Sequence, residues 1–300
     1  MTADRPILGI SLMLGFCIII PLGDSIAKVL GETLPLGQVL LVRYGIQMLM
    51  LLPLAFYIGR SVQWTPRILW LSLVRTVLHI IGAGSMFASL QFMPLADAVA
   101  IAFVMPFIML LLGKYVLQEE VGPHRMWACV VGFIGTLLVI QPNFAAVGTP
   151  ALLPIVVAVA FAFFMLVTRQ IAKDIDPVSL QASNGIAGTA IVALLLWMFG
   201  DTGLQPMQLV TPTDREIILL LGLGVLGTSA HLLMTWSLRY APSATLAPMQ
   251  YLQIPLATFI GWLIFRDLPN TLESLGILIT ICSGLYVIYR EQYNLRQQTV

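Results

Sequence analysis

Charge is scarce in this chain. Asp, Glu, Lys and Arg make up 10% of its 300 residues, against about 25% in ordinary soluble proteins. A globule so poor in charge cannot coat itself with solvated side chains, so a water-soluble fold is excluded. The 15 basic and 14 acidic residues leave a net charge of +1, which excludes the basic field that nucleic acid demands. Cysteine is rare as well. Cys17, Cys129 and Cys282 stand alone in apolar runs, with no CxxC or CxxH spacing. A disulfide frame or a zinc site has no support, and the three read as small packing residues. His79, His124 and His231 are not spaced to hold a metal, and no phosphate loop is present to drive pumping by ATP. No cofactor is expected. Long polar or low-complexity stretches are missing too, which leaves one integral membrane domain.

What is abundant is apolar sequence: 59% of the residues are hydrophobic and the mean hydropathy is +0.94. A spanning helix needs roughly 20 mainly apolar residues. Ten runs qualify, at 7–30, 36–58, 67–91, 95–118, 125–141, 150–169, 179–199, 216–240, 244–265 and 272–290, the fifth being the shortest. Turn residues separate them, among them Pro35, Pro94, Pro123, Pro142, Pro177, Pro212, Pro242 and Pro269. Open strands would leave backbone groups unpaired in hydrocarbon, and the alternation of a barrel is absent. The first run follows Arg5 as a signal peptide would, but no small-residue cleavage site closes it, so it reads as an uncleaved spanning helix. With the N-terminus cytoplasmic, 11 basic residues fall on the inner side: Arg5, Arg60, Arg67, Arg75, Lys114, Arg125, Arg169, Lys173, Arg239, Arg290 and Arg296. Lys28, Arg43, Arg215 and Arg266 are the 4 left outside. That asymmetry places both termini in the cytoplasm.

The chain also repeats itself. Ser89 to Val99 reads SLQFMPLADAV and Ser237 to Ala247 reads SLRYAPSATLA, an offset of 148 residues. At the same offset Gly113 meets Gly261, Leu117-Gln118-Glu119 meets Phe265-Arg266-Asp267, and Val139-Ile140 meets Val287-Ile288. Ile26-Ala27-Lys28 returns as Ile171-Ala172-Lys173 at a slightly different spacing. The fold expected is therefore all-α and integral to the membrane: ten transmembrane helices as two five-helix repeats, residues 1–145 and 146–300. Because five is odd, the second repeat enters from the opposite face and is inverted. Inverted repeats provide two conformations of similar energy, one open to each side, with substrate near the midplane. The bland alternative is that duplication is merely an efficient way to build a bundle.

Particular pieces carry a resemblance: Arg43-Tyr44, the Phe-Ala-Ser-Leu run at 87–90 before Pro94 and Ala96, Pro106, Glu119, and the segment from Gly132 to Gly135. Taken together over the whole chain, they resemble the drug/metabolite transporter superfamily in its EamA-type branch. The resemblance implies a polytopic carrier of small metabolites with a central cavity, and not an enzyme. Members are similar to amino-acid exporters, nucleotide-derivative importers and vitamin carriers. The short loops and sequence texture look like the S-adenosylmethionine and riboflavin uptake carriers of bacteria.

Ionisable residues within apolar spans are costly and mark candidate sites. Arg43, Arg75, His79 and His231 form that set, with Gln250 and Tyr251 between Pro248 and Pro255 in the ninth span. Each proline there frees a backbone carbonyl, so the helix is expected to kink. Arg43 needs Asp24, Asp97 or an anionic substrate group as partner, or it must snorkel. Arg75 and His79 share a helical face, and a guanidinium can grip carboxylate or phosphate bidentately. Asp24 and Lys28, four apart, read as a pair serving an outer gate or ion coupling, or as a snorkelling lysine with its neutraliser. A mid-membrane imidazole can carry a coupling proton; an interhelical hydrogen bond is the plainer role. Trp236 and Phe103 are candidate aromatic walls. Gly82 to Ser85 and Gly222, Gly224 and Gly227 allow close helix approach. Glu119, Glu120 and His124 read as a solvated inner turn. The sequence thus predicts a multi-pass carrier of the bacterial inner membrane, monomer or homodimer, moving a small metabolite by uptake or export. An intramembrane enzyme would need paired acids or an activated nucleophile. A non-transporting interaction protein would not need ionisable groups in both halves.

Overall fold

The computed structural model describes residues 5–58, 64–92, 95–140, 149–265 and 270–298. Arg60, Pro94, Pro142, Arg266, Asp267 and Pro269 lie outside them, as do the side chains of Asp97 and Arg296. The described residues form helices and contain no strand. In chain order these are α1 (Pro6–Gly31), α2 (Leu36–Ile58), α3 (Pro66–Ser89), α4 (Leu95–Ala102), α5 (Met105–Tyr115), α6 (Pro123–Ile140), α7 (Leu152–Ile171), α8 (Pro177–Phe199), α9 (Asp214–Tyr240), α10 (Ser243–Leu246), α11 (Gln253–Phe265) and α12 (Thr271–Gln298). Seven of them, α1, α2, α3, α7, α8, α9 and α12, are long and apolar enough to cross a membrane.

Local chemistry sets the helix starts. Thr65 caps α3 by accepting from the Ile68 amide, and Pro66 follows with no amide to strand. Asp176 caps α8 in the same way ahead of Pro177. Thr213 and Glu216 form a reciprocal capping box on α9. Several helices therefore start one or two residues before the apolar runs, and α12 continues to Gln298 rather than stopping at 290.

The expected continuous helix at 95–118 is instead two, with a break at Phe103 and Val104. Pro106 has no amide to return to Ala102, and the Phe107 amide turns to Val104 instead of Phe103. The carbonyl of Phe103 is thereby released, and the hydroxyl of Tyr251 donates to it at 3.3 Å. The kink expected in the ninth run is also present. There α10 gives way to a 3-10 segment, Ala247–Leu252, before α11 begins. The thiol of Cys17 donates to the Met249 carbonyl in that segment, at 3.7 Å. Neighbouring side chains thus satisfy backbone groups that no water would reach in a bilayer.

The most extensive packing pairs α1 with α9, α3 with α7, α2 with α8, and α6 with α12. The outer surface of the bundle is apolar: Tyr57, Phe56, Trp197, Trp70, Trp127, Leu49 and Ile218 are all well exposed. In water such a surface would drive aggregation; in lipid it is the natural coat.

Candidate functional site

Four of the ionisable residues singled out in the sequence meet inside the bundle. The guanidinium of Arg43 (α2) lies 3.4 Å from Nε2 of His79 (α3) and 3.3 Å from Nδ1 of His231 (α9). The two imidazole rings are 4.4 Å apart. Arg43 is 4% exposed, and its place against α9 exists because residue 227 is glycine: a Cβ there would stand 2.9 Å from Arg43 Nε. Arginine has only donors. The Asn184 amide nitrogen, also a donor, lies 3.2 Å from His79 Nδ1, so the ring is offered donors at both nitrogens and a neutral imidazole can accept at only one of them. His231 Nδ1 is 2.9 Å from the Gly227 carbonyl, a bond that requires the proton on that nitrogen and leaves Nε2 as an acceptor. That Nε2 has no partner among the described residues.

Arg75 lies one turn of α3 nearer the N-terminal end of the bundle. It is fully buried; its Nε donates to Thr168 at 2.7 Å, its Nη2 to Thr235 at 3.3 Å, and its plane covers the Phe164 ring at 4.5 Å. Nη1 has no partner. Gln181 donates to Thr235 and to the His231 carbonyl, and Gln47 to Gln181.

A cavity of about 100 Å³ sits beside this cluster. Asp24, Arg43, His231, Gln250 and Gln253 supply its polar wall; Phe16, Phe87, Phe103, Phe161 and Met165 supply much of its apolar wall. Phe16 to Asp24 lie roughly 15–27 Å along α1 from its start, and Ala83 to Phe87 roughly 25–32 Å along α3. The cavity therefore occupies the middle and the half of the bundle away from the N-terminus. Asp24 does not form the expected ion pair with Lys28. It faces the cavity one turn deeper and forms no hydrogen bond or ion pair with any described residue. Gln250 donates weakly to the sulfurs of Met109 and Met165, and its carbonyl is unpartnered. Arg75, His79 and Tyr251 do not line the cavity. Tyr251 is packed, its ring filling the space a side chain at Gly132 would occupy. Trp236 is placed not at the cavity but against a small cluster with Leu51 and Val178.

The N-terminal end is closed. Arg169 Nε donates to Glu119 Oε1 at 3.2 Å, and both side chains are 10% exposed. The Glu119 carboxylate also accepts from the amides of Ser243 and Ala244 and the hydroxyl of Ser243, capping α10 from a distance. Arg239 donates to the carbonyls of Ala172 and Ile175, and the Arg5 amide to that of Tyr240. Glu119 is thus no solvated turn residue. Its partner is 50 positions away, which a local reading does not reach. Asn184, Gln181, Thr168 and Thr235 were likewise passed over. They are uncharged, and only their convergence on the arginines and histidines distinguishes them from ordinary helix-packing polar groups.

A membrane-embedded bundle sealed at one end, with ionisable side chains around a cavity, is the architecture of a transport protein. Comparison with known proteins agrees. The profile of the EamA-like transporter family matches residues 7–141 and again 149–290. The chain belongs to that family and is a multi-pass membrane transporter. It is 25% identical over 274 residues to the S-adenosylmethionine uptake transporter of Rickettsia prowazekii (strain Madrid E), covering 91% of this chain and 90% of that one. It is 28% identical over 255 residues to the riboflavin transporter of Rhizobium johnstonii, covering 85% and 82%. It is 24% identical to the pseudopaline exporter of Pseudomonas aeruginosa, covering 87% and 90%. A protein of known crystal structure shares the fold with a TM-score of 0.74 at 17% identity, covering 93% of this chain and 95% of that one.

Proposed function

We propose that this protein is a secondary-active carrier that takes up a small metabolite across the bacterial inner membrane by alternating access. On this reading it crosses the membrane ten times, the fourth and ninth crossings being the broken pairs α4–α5 and α10–α11, with both termini cytoplasmic. Residues 1–145 and 146–300 are its two inverted copies. The two family matches, one per half, support that division. So does the packing. Exchanging each crossing with its counterpart five places on converts the α1–α9 contact into the α7–α3 contact, and returns α2–α8 and α6–α12 to themselves. Phe103 and Tyr251, 148 residues apart like the repeat itself, meet ring to ring at 5.6 Å where the two breaks join. The basic-residue asymmetry makes the sealed end cytoplasmic, so the conformation described is the outward-facing one.

The observation that carries the reading is Arg43: a buried guanidinium at the cavity wall that faces two imidazoles and makes no ion pair with a carboxylate among the described residues. Such a group is expensive in a membrane and is expected where it serves a pathway. The substrates of the relatives suggest S-adenosylmethionine-like or riboflavin-like molecules; the exporter among them keeps outward transport of a metabolite as the second reading. Counterflow in proteoliposomes tests both. Purified protein with unlabelled S-adenosylmethionine or riboflavin inside should accumulate the labelled compound well above protein-free vesicles. Absence of counterflow for both, with folded protein, would overturn uptake of these classes.

A further inference from the structure

We infer that the cavity is a zwitterion site: it takes a ligand bearing an α-amino carboxylate, with the ammonium held by Asp24 and the carboxylate by Arg43. This rests on the transport reading above and names the substrate class within it, against a neutral flavin.

The wall of the cavity carries one cation and one anion that do not neutralise each other. Asp24 and Arg43 both line it, with no hydrogen bond or ion pair between them. Neither has a hydrogen-bonded counter-charge among the described residues, the partner that a charge in an apolar interior requires. Arg43 faces nitrogen atoms of two imidazoles, a poor match for a planar fork that fits a carboxylate bidentately. Asp24 has no hydrogen-bond donor among the described residues.

The neutral polar groups follow the same division. His231 Nε2 and the carbonyl of Gln250 belong to side chains that line the cavity; both atoms are buried and unpartnered. Both are acceptors, given the bond from His231 Nδ1 to Gly227 and the Gln250 amide on two sulfurs. Together with Asp24 they make this side of the cavity rich in acceptors, which suits an ammonium group. The single donor group, Arg43, answers a carboxylate. A flavin ring system, uncharged and fused, would offer Asp24 no ammonium group.

Size agrees. About 100 Å³ is well below the roughly 300–1,000 Å³ of sites that enclose a whole drug-sized ligand. It holds an amino-acid head group, with the aromatic rings of Phe87, Phe103 and Phe161 on the wall beside it.

The test is equilibrium binding to the full-length protein in detergent, by calorimetry. The probes are S-adenosylmethionine, S-adenosylhomocysteine, 5′-methylthioadenosine and riboflavin, measured on wild type, Asp24→Asn and Arg43→Gln. The first two carry the amino-acid arm and the third lacks it. They should bind wild type about thirtyfold or more tighter than methylthioadenosine, the usual scale for losing one side of a desolvated charge pair. Each substitution should remove most of that advantage while leaving the affinity for methylthioadenosine within about threefold. Methylthioadenosine or riboflavin binding wild type as tightly as the zwitterions would overturn the inference, and needs no variant to fold. So would variants that weaken all four ligands alike, the result expected if Asp24 serves ion coupling. Riboflavin counterflow without zwitterion binding would leave the transport reading standing and sink this one alone.

Discussion

Arg75 illustrates what a single residue contributes here. It is fully buried with two threonines, a phenylalanine ring and no acid. Burying a charge on such terms does not favour stability, and replacing it with an apolar group of similar length is often neutral or stabilising. Thr168 and Thr235 keep their own helix carbonyls as acceptors if the guanidinium is removed. Arg75→Met should therefore retain or raise the melting temperature in detergent and lose transport in counterflow. A large drop in melting temperature would make Arg75 a structural residue. At this scale the sequence was legible where side chains are ionisable. Arg43, Arg75, His79 and His231 stand out against apolar neighbours, and they do converge. Asp24 was legible as a costly charge within a span, and it does line the cavity, but its expected pairing with Lys28 does not form, because helical spacing brings Lys28 to the same face without turning the carboxylate toward it. Tyr251 was legible as buried and polar, and the close approach permitted by Gly132 turns it into packing.

At the scale of the element, the two broken crossings matter most. Pro248 and Pro255 announced the break in the ninth run, since a missing amide is a local property; the break in the fourth run was not expected, although Pro106 acts there in the same way. That the breaks would touch was not legible, because it depends on how the halves dock. The Tyr251 hydroxyl donates to the released Phe103 carbonyl. Tyr251→Phe should cost about 0.6–1.7 kcal/mol, the measured scale for polar contacts between membrane helices. Thermal or denaturant unfolding in mixed micelles checks this. A cost near zero would mean that the breaks are held by ring packing alone.

Across the whole molecule, the asymmetry between ends is what turns a bundle into a carrier. One end is tied by Arg169, Glu119 and the start of α10; the cavity lies toward the other. The repeat and the basic-residue asymmetry were legible as periodicity and composition. Which state the protein rests in was not, because Glu119 and Arg169 are brought together only by the packing of α5 against α7. Glu119→Gln keeps the shape of the side chain but removes its charge, weakening the tie to Arg169 and shifting the population toward the inward-facing form.

Alternating access is tested most directly by sided labelling at the cavity. Gln253→Cys, with the exposed Cys282 replaced by Ser, places one thiol on the cavity wall, since Cys17 and Cys129 are buried. A membrane-impermeant maleimide should label it from the periplasmic side in right-side-out vesicles and poorly in inside-out vesicles. Adding Glu119→Gln should reverse that preference. A thiol that reacts from neither side in either background, in folded protein, would contradict the account and describe a sealed scaffold.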